Sequence, residues 1–182
     1  MKISSMSIPD ILVIEPFVFE DDRGFFYESF RDDVFKKITS LNLSFVQENH
    51  SKSFKGVLRG LHYQINPKAQ GKLVRVVQGE VLDIIVDIRR SSPTFGKYVS
   101  EILTSDNKKQ IWIPKGFAHG FLTLSETAEF LYKTSDLYSP DHERCILWSD
   151  PILNINWPEN MEFRLSPKDL LGKNFLDAEL FS

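Results

Sequence analysis

The sequence predicts a mostly β domain closed into a sandwich or barrel, the jelly roll included, on three observations. Its apolar runs are short and alternating, and Gly, Pro, Asn, Asp or Ser bounds them, which is how strands read. Helical periodicity is confined to two places. No repeat, low-complexity stretch or Pro/Gly/Ser-rich linker divides the chain, so residues 1–182 read as one domain. A chain of this length buries about 70% of the surface its unfolded form exposes, enough for a sizeable core.

In chain order, strands are expected at residues 11–18, 57–64, 72–77, 80–88, 98–103 and 110–113, each a run with period two. In the run from Val81 to Ile88 the alternation is clearest. Leu82, Ile84, Val86 and Ile88 take one face, expected to be core, and Asp83 and Asp87 take the other. Asp87 reads as solvated rim. Asp83 shares its face with Val81 and Ile85, which leaves open whether it points into a lined cavity.

Residues 117–124 and 128–133 flank the polar Ser125-Glu126-Thr127 and read as a hairpin. An even-numbered loop would pair Phe121 with Phe130 and His119 with Tyr132, side chains on one face, whereas a three-residue loop would break that register. Helices are expected at residues 32–41, where Val34, Phe35 and Ile38 share a face, and from Ser166. Ser166-Pro167-Lys168-Asp169 has Ser at the N-cap, Pro at the first turn and Asp at N3.

Composition narrows the function. With 22 Lys+Arg against 25 Asp+Glu there is no overall basic field to hold a nucleic-acid backbone, although a few arginines suffice for a diphosphate. One cysteine, Cys145, excludes an internal disulfide framework and fits a reducing, cytoplasmic compartment. No stretch approaches the roughly 20 apolar residues of a membrane span, and no apolar leader opens the sequence. The 15 Phe suit strand packing or stacking on a flat ligand, and composition alone does not separate the two.

The chemistry concentrates around two of the four histidines. In Val57-Leu58-Arg59-Gly60-Leu61-His62-Tyr63-Gln64 an apolar strand carries a guanidinium and an imidazole, groups whose burial without partners costs on the order of 1–3 kcal/mol each. Strict alternation puts Arg59 and His62 on opposite faces. If both serve one cavity, a bulge near Gly60 is required. His119 closes Pro114-x-Gly116-x-x-His119, which matches the second signature of the cupin superfamily. The first signature is reduced to the lone His62. Two separated histidines without a third ligand make a poor metal site, so no catalytic metal is expected. A Gly-x-Ser-x-Gly elbow and a Gly-rich phosphate loop are absent, and nucleophilic catalysis by Cys145 would need a base to activate it. Imidazole, phenol, carboxylate, guanidinium and ammonium groups without a cofactor suit proton transfer next to a carbonyl.

Five ordered motifs carry a resemblance: Asp22-Arg23-Gly24-Phe25-Phe26-Tyr27-Glu28, Phe45-Val46-Gln47-Glu48-Asn49-His50-Ser51, Leu58-Arg59-Gly60-Leu61-His62, Gln70-Gly71-Lys72-Leu73-Val74-Arg75 and Pro114-x-Gly116-Phe117-Ala118-His119-Gly120-Phe121. Together they resemble the dTDP-4-dehydrorhamnose 3,5-epimerase family, and the match runs over nearly the whole chain. The resemblance implies a cupin-type jelly-roll β-barrel with a few short flanking helices, working as a homodimer without cofactor or metal. It implies epimerisation of dTDP-4-keto-6-deoxyglucose at C3 and C5 through an enolate. His62 would be the general base, Tyr132 the general acid and Asp169 the carboxylate that orients the base. Lys72 and His119 would lie near the enolate oxygen. Arg23 and Arg59 would hold the diphosphate, with Glu28, Gln47, Asn49, Glu143 and Lys168 as further contacts and Tyr138 stacked on the base. Arg23 or Phe26 would complete the partner's site. Two rival readings remain at this point: a mono-epimerase acting at C3 or C5 alone, and a noncatalytic cupin that binds a sugar nucleotide.

Overall fold

In the computed structural model, which describes residues 1–182, the chain runs β1 (Lys2–Ser5), β2 (Leu12–Glu15), β3 (Phe19–Asp21), β4 (Gly24–Phe26), α1 (Asp32–Thr39), β5 (Gln47–Phe54), β6 (Leu58–Gln64), β7 (Lys72–Gln78), β8 (Glu80–Asp87), β9 (Tyr98–Thr104), β10 (Gln110–Ile113), β11 (Phe117–Thr123), β12 (Thr127–Thr134), β13 (Glu143–Cys145) and α2 (Pro167–Leu170). A six-stranded sheet in the order β1-β2-β10-β7-β12-β5 faces a five-stranded sheet in the order β13-β6-β11-β8-β9. All main pairings are antiparallel. This is the expected mostly β, cupin-type architecture. No helix is long and apolar enough to cross a membrane.

Between the sheets lies a core of 14 buried residues drawn from both, among them Val74, Val76, Val81, Ile85, Ile111, Phe121 and Phe130. The strand β8 bears out its apolar face as core and corrects the reading of the face opposite. Its Ile84, Val86 and Ile88 pack outward, under a second core that includes Leu153, Phe175 and Ala178 from the C-terminal segment. The face carrying Asp83 and Asp87 points into the barrel, so both faces are buried. Asp87 is therefore no rim residue. It is fully buried and accepts from Arg89, Ser92 and Thr94. Burial pushes its carboxyl up, and these donors more than reverse that, holding it at about 2.

A second correction concerns the proposed hairpin. The strands β11 and β12 do not pair: β11 lies between β6 and β8, and β12 between β5 and β7. Leu124 and Ser125 donate their amides to Glu80, and Ser125 Oγ donates to the Thr127 carbonyl, so the short connection carries the chain from one sheet to the other. Phe121 and Phe130 still meet, stacked across the barrel at 4.3 Å and 11° rather than side by side on one sheet.

The expected strand at residues 11–18 shortens to β2, which ends before Pro16, whose ring leaves no amide for a ladder. The strand β5 was not foreseen, because Gln47-Glu48-Asn49-His50-Ser51-Lys52-Ser53 has no apolar alternation. Its register with β12 puts Asn49, Ser51 and Ser53 opposite Tyr132, Phe130 and Ala128, so its inward face is polar. At one end the barrel is filled with apolar side chains; at the other it is lined with amides, hydroxyls and charges.

Candidate active site

The polar end holds a cavity of about 320 Å³ that joins a second lobe of similar volume, with His62, Lys72, Tyr132, Tyr138 and Glu143 common to both. The strand β6 delivers the first of these. Its register against β11 pairs His119 with His62 and Phe121 with Arg59, with a break between, so Gly60 and Leu61 together oppose Gly120. This is the bulge that the sequence required. Gly60 adopts φ +139°, and a Cβ there would lie 2.5 Å from the Gly120 Cα, so both the backbone conformation and the close approach demand glycine. The extra residue turns Arg59 and His62 to the same side, and both line the cavity.

The Asp169 carboxylate reaches His62 from outside the sheets. Ser166 and Asp169 form the anticipated capping box, with Ser166 Oγ accepting from the Asp169 amide while Asp169 Oδ2 accepts from the Ser166 amide and hydroxyl. Cap and site roles are thus compatible. The other oxygen, Oδ1, accepts from the Gly60 amide at 3.2 Å and lies 2.7 Å from His62 Nε2. That imidazole contact is not aligned as a linear hydrogen bond, and Nε2 has no other partner. Burial pushes the Asp169 carboxyl up, but His62, Ser166 and the Gly60 amide outweigh it and hold it at about 2. A fixed negative charge therefore sits behind the imidazole.

His119 lies on the neighbouring strand, its Nε2 sharing a 2.8 Å hydrogen bond with Asp83 Oδ2. Asp83, left open by the sequence, is fully buried behind His119 and does not line the cavity. Burial raises its pKa, partly offset by His119. The two imidazoles are each bound to a separate carboxylate and share no centre.

Across the cavity, β12 presents Tyr132 and β7 presents Lys72 from the six-stranded sheet. The acidity of Tyr132 is lowered by burial and by Glu143, with Arg59 and Asn49 opposing. Lys72 Nζ donates to the His62 carbonyl at 3.3 Å, and burial, against the pull of Glu143 and Asp83, lowers its pKa to about 8. Lys168 and Glu143 form an ion pair at the rim. Tyr138 is half exposed at the mouth and donates its hydroxyl to Glu143 at 2.6 Å.

The Tyr138 loop is clamped by amides. Gln64 Nε2 donates to the Lys68 and Leu137 carbonyls while its Oε1 accepts from the Ser139 amide, and Gln47 Oε1 accepts from the Tyr138 amide. Gln47 and Asn49 line the second lobe. Gln64, Gln70, Ser51 and the Phe121–Phe130 stack were not named as site residues. The motifs and parity of their strands carried the only signal for them.

Three expected residues are not in this cavity. Phe26 lies on β4 and Arg23 in the turn between β3 and β4, strands that pair only with each other and line a separate surface hollow, and Glu28 is exposed and bridges to Arg31. Arg23 is held by Asp21 on the same hairpin. Three-residue strands that join neither large sheet cannot carry these side chains to the barrel mouth of their own chain. Phe17, Phe19, Phe25 and Phe26 are 59–69% exposed there, a clustered apolar surface of the kind that marks an interaction site.

A family model described as dTDP-4-dehydrorhamnose 3,5-epimerase matches residues 5–177. The dTDP-4-dehydrorhamnose 3,5-epimerase of Pseudomonas aeruginosa is 58% identical over 181 residues, 100% of this chain and 99% of that protein. Among solved structures, the dTDP-6-deoxy-D-glucose-3,5-epimerase of Legionella pneumophila, in complex with dTDP-4-keto-L-rhamnose, superposes with a TM-score of 0.95 at 49% identity, covering 98% of this chain and 94% of that one. A 3'-monoepimerase of Streptomyces bikiniensis, in complex with dTDP-quinovose, superposes with a TM-score of 0.90 at 32% identity, covering 94% and 87%.

Proposed function

The chain belongs to the dTDP-4-dehydrorhamnose 3,5-epimerase family and is an isomerase that epimerises dTDP-4-keto-6-deoxyglucose at C3 and C5 to dTDP-4-keto-L-rhamnose, and we propose that His62 and Tyr132 are the proton carriers. The observation that carries this reading is their placement on opposite walls. His62 comes from the five-stranded sheet and Tyr132 from the six-stranded one, with a cavity of sugar size between them.

A proton α to the C4 ketone is weakly acidic, and its removal leaves an enolate whose charge must be met at once. His62 takes the proton on one face of the ring, backed by Asp169. Lys72 and His119 stand by to stabilise the enolate oxygen. Tyr132 returns a proton to the carbon from the other face, which inverts it. The phenolate and the imidazolium then exchange protons through solvent before the second carbon is handled. Each well-placed acid or base contributes roughly 10²–10⁴-fold.

Arg59, with Gln47, Asn49, Glu143 and Lys168, holds the nucleotide diphosphate side, and Tyr138 offers its exposed ring for stacking on the base. Residues 1–182 act as one domain in a cytoplasmic homodimer. The exposed aromatic hairpin supports the dimer, since a partner covering it would bring Arg23, Phe26 and Glu28 to a neighbouring site. The single cysteine supports the reducing compartment.

Incubation of dTDP-4-keto-6-deoxyglucose with the protein in D₂O tests the reading. Deuterium is expected at both C3 and C5. Label at one carbon only would mean a mono-epimerase, and none would leave a binding protein.

A further inference from the structure

Cys145 stands beside the His62–Asp169 pair with no part in the proton chemistry. The pairing of β13 with β6 places Cys145 directly opposite His62, so the two side chains leave the same face of the sheet. A ring nitrogen of His62, Cys145 Sγ and an Asp169 carboxylate oxygen all lie within 4.8 Å of one another. Each retains binding capacity. The thiol makes only long contacts, 3.7 Å to the Gly60 carbonyl and 3.6 Å to that of Ile146. The imidazole nitrogen is buried without an aligned hydrogen-bond partner.

We propose that His62, Cys145 and Asp169 form a binding site for a thiophilic divalent cation such as Zn²⁺ or Cd²⁺, and that occupying it inhibits the enzyme. One nitrogen, one sulfur and one oxygen donor form a borderline-soft set, and three protein ligands, to which a water adds as the fourth, is the ligand count of a tetrahedral zinc centre. Ligand bonds of about 2.0–2.3 Å require these atoms to draw together by roughly an ångström, a movement within the reach of side-chain rotation. The outer contacts are already in place, because the Gly60 amide and Ser166 orient the carboxylate. On binding, the Cys145 S–H bond breaks, its proton leaves to solvent and a sulfur–metal bond forms with no change of oxidation state.

A cation held there would neutralise the charge of Asp169 and draw electron density from the ring, lowering the basicity of the imidazole nitrogen that removes the substrate proton. Inhibition therefore rests on the assignment of His62 as base, whereas binding does not.

Cd²⁺ titrated into the full-length protein, followed by calorimetry and by thiolate-to-cadmium ultraviolet absorbance, tests the site, alongside turnover with Zn²⁺ and then a chelator. One ion per chain with the thiolate absorbance is expected, together with inhibition that the chelator reverses. Cys145→Ala and Cys145→Ser should keep turnover in metal-free buffer and lose the absorbance, with affinity and metal sensitivity falling at least about tenfold. Unchanged affinity in both variants, or binding to the wild type without thiolate absorbance, would overturn the site. Cadmium bound with that absorbance while turnover continues would uphold the ligand set and count against His62 as base, so the two readings fail separately.

Discussion

Two histidine–carboxylate pairs lie on adjacent strands of one sheet, and they differ in nearly everything except composition. His62 and His119 are register partners, yet one is backed by a carboxylate from a capped helix outside the barrel and the other by a neighbouring strand. Asp169 is surrounded by donors and held at about 2, a permanent anion. Asp83 is fully buried, with Oδ1 unpartnered, and burial pushes its pKa up. The His62 side chain is 26% exposed and that of His119 only 9%. Open access and a fixed countercharge suit a base that must gain and lose protons. Enclosure suits a donor that keeps one orientation. The environment of the carboxylate, more than the identity of the pair, sets what each imidazole does.

The largest test of that contrast is removal of the imidazoles. His62→Ala should slow deuterium wash-in at both carbons by roughly 10²–10⁴-fold, while His119→Ala should lose less. Equal losses in both would erase the distinction between base and donor. Next comes Asp169→Asn, which keeps the shape and removes the charge behind the base. A fall in kcat on the order of 10²-fold is expected, with KM little changed. A rise in KM alone would make Asp169 a binding residue.

A third effect lies on the opposite wall and is read from a pH profile. With Lys72 lowered to about 8, kcat/KM of the free enzyme should decline above about pH 8 as the ammonium is lost, and Lys72→Arg should remove that limb. A flat profile to pH 9 would detach Lys72 from the enolate oxygen.

The smallest effect is on stability, where the two carboxylates should act with opposite sign. A depressed carboxyl such as Asp169 contributes stability that is present above its unfolded pKa and lost as pH falls toward about 2, so Asp169→Asn should flatten the acid limb of the melting curve. A raised carboxyl such as Asp83 contributes stability that is present at low pH and lost as pH rises through its folded pKa. Asp83→Asn should therefore gain on the wild type as pH rises from about 4 toward neutrality. Melting temperatures measured from pH 3 to 7 that shift in the same direction for both variants would show that the two sites are electrostatically alike.

The bulge at Gly60 was legible because alternation and chemistry conflicted there: Arg59 and His62 could share a cavity only if one residue were added, and glycine marked where. The capping box at Ser166 was legible because caps are local. The expected hairpin of His119 and Tyr132, conditional on its loop length, fails for a corresponding reason. Two alternating runs with a polar break look the same whether the chain turns back within a sheet or crosses to the facing one, and the two cases differ only in which distant strands, β5 to β8, occupy the hydrogen-bonding edges. Parity survives either choice, so Tyr132 still reached the cavity. The strand β5 and its inward amides carry no such signal, because periodicity is read in apolar residues and its inward face has none.

By itself, then, the sequence determined the things set within a few residues: the alternation of the strands, the need for a bulge, the cap at Ser166 and the set of side chains capable of proton transfer. Only the tertiary structure decided that the face of β8 carrying Asp83 and Asp87 looks inward, that Asp169 meets His62, and that base and acid stand on facing walls. Those outcomes depend on contacts between segments far apart in the chain. Their free energy comes from burying one sheet against another, which no local pattern encodes.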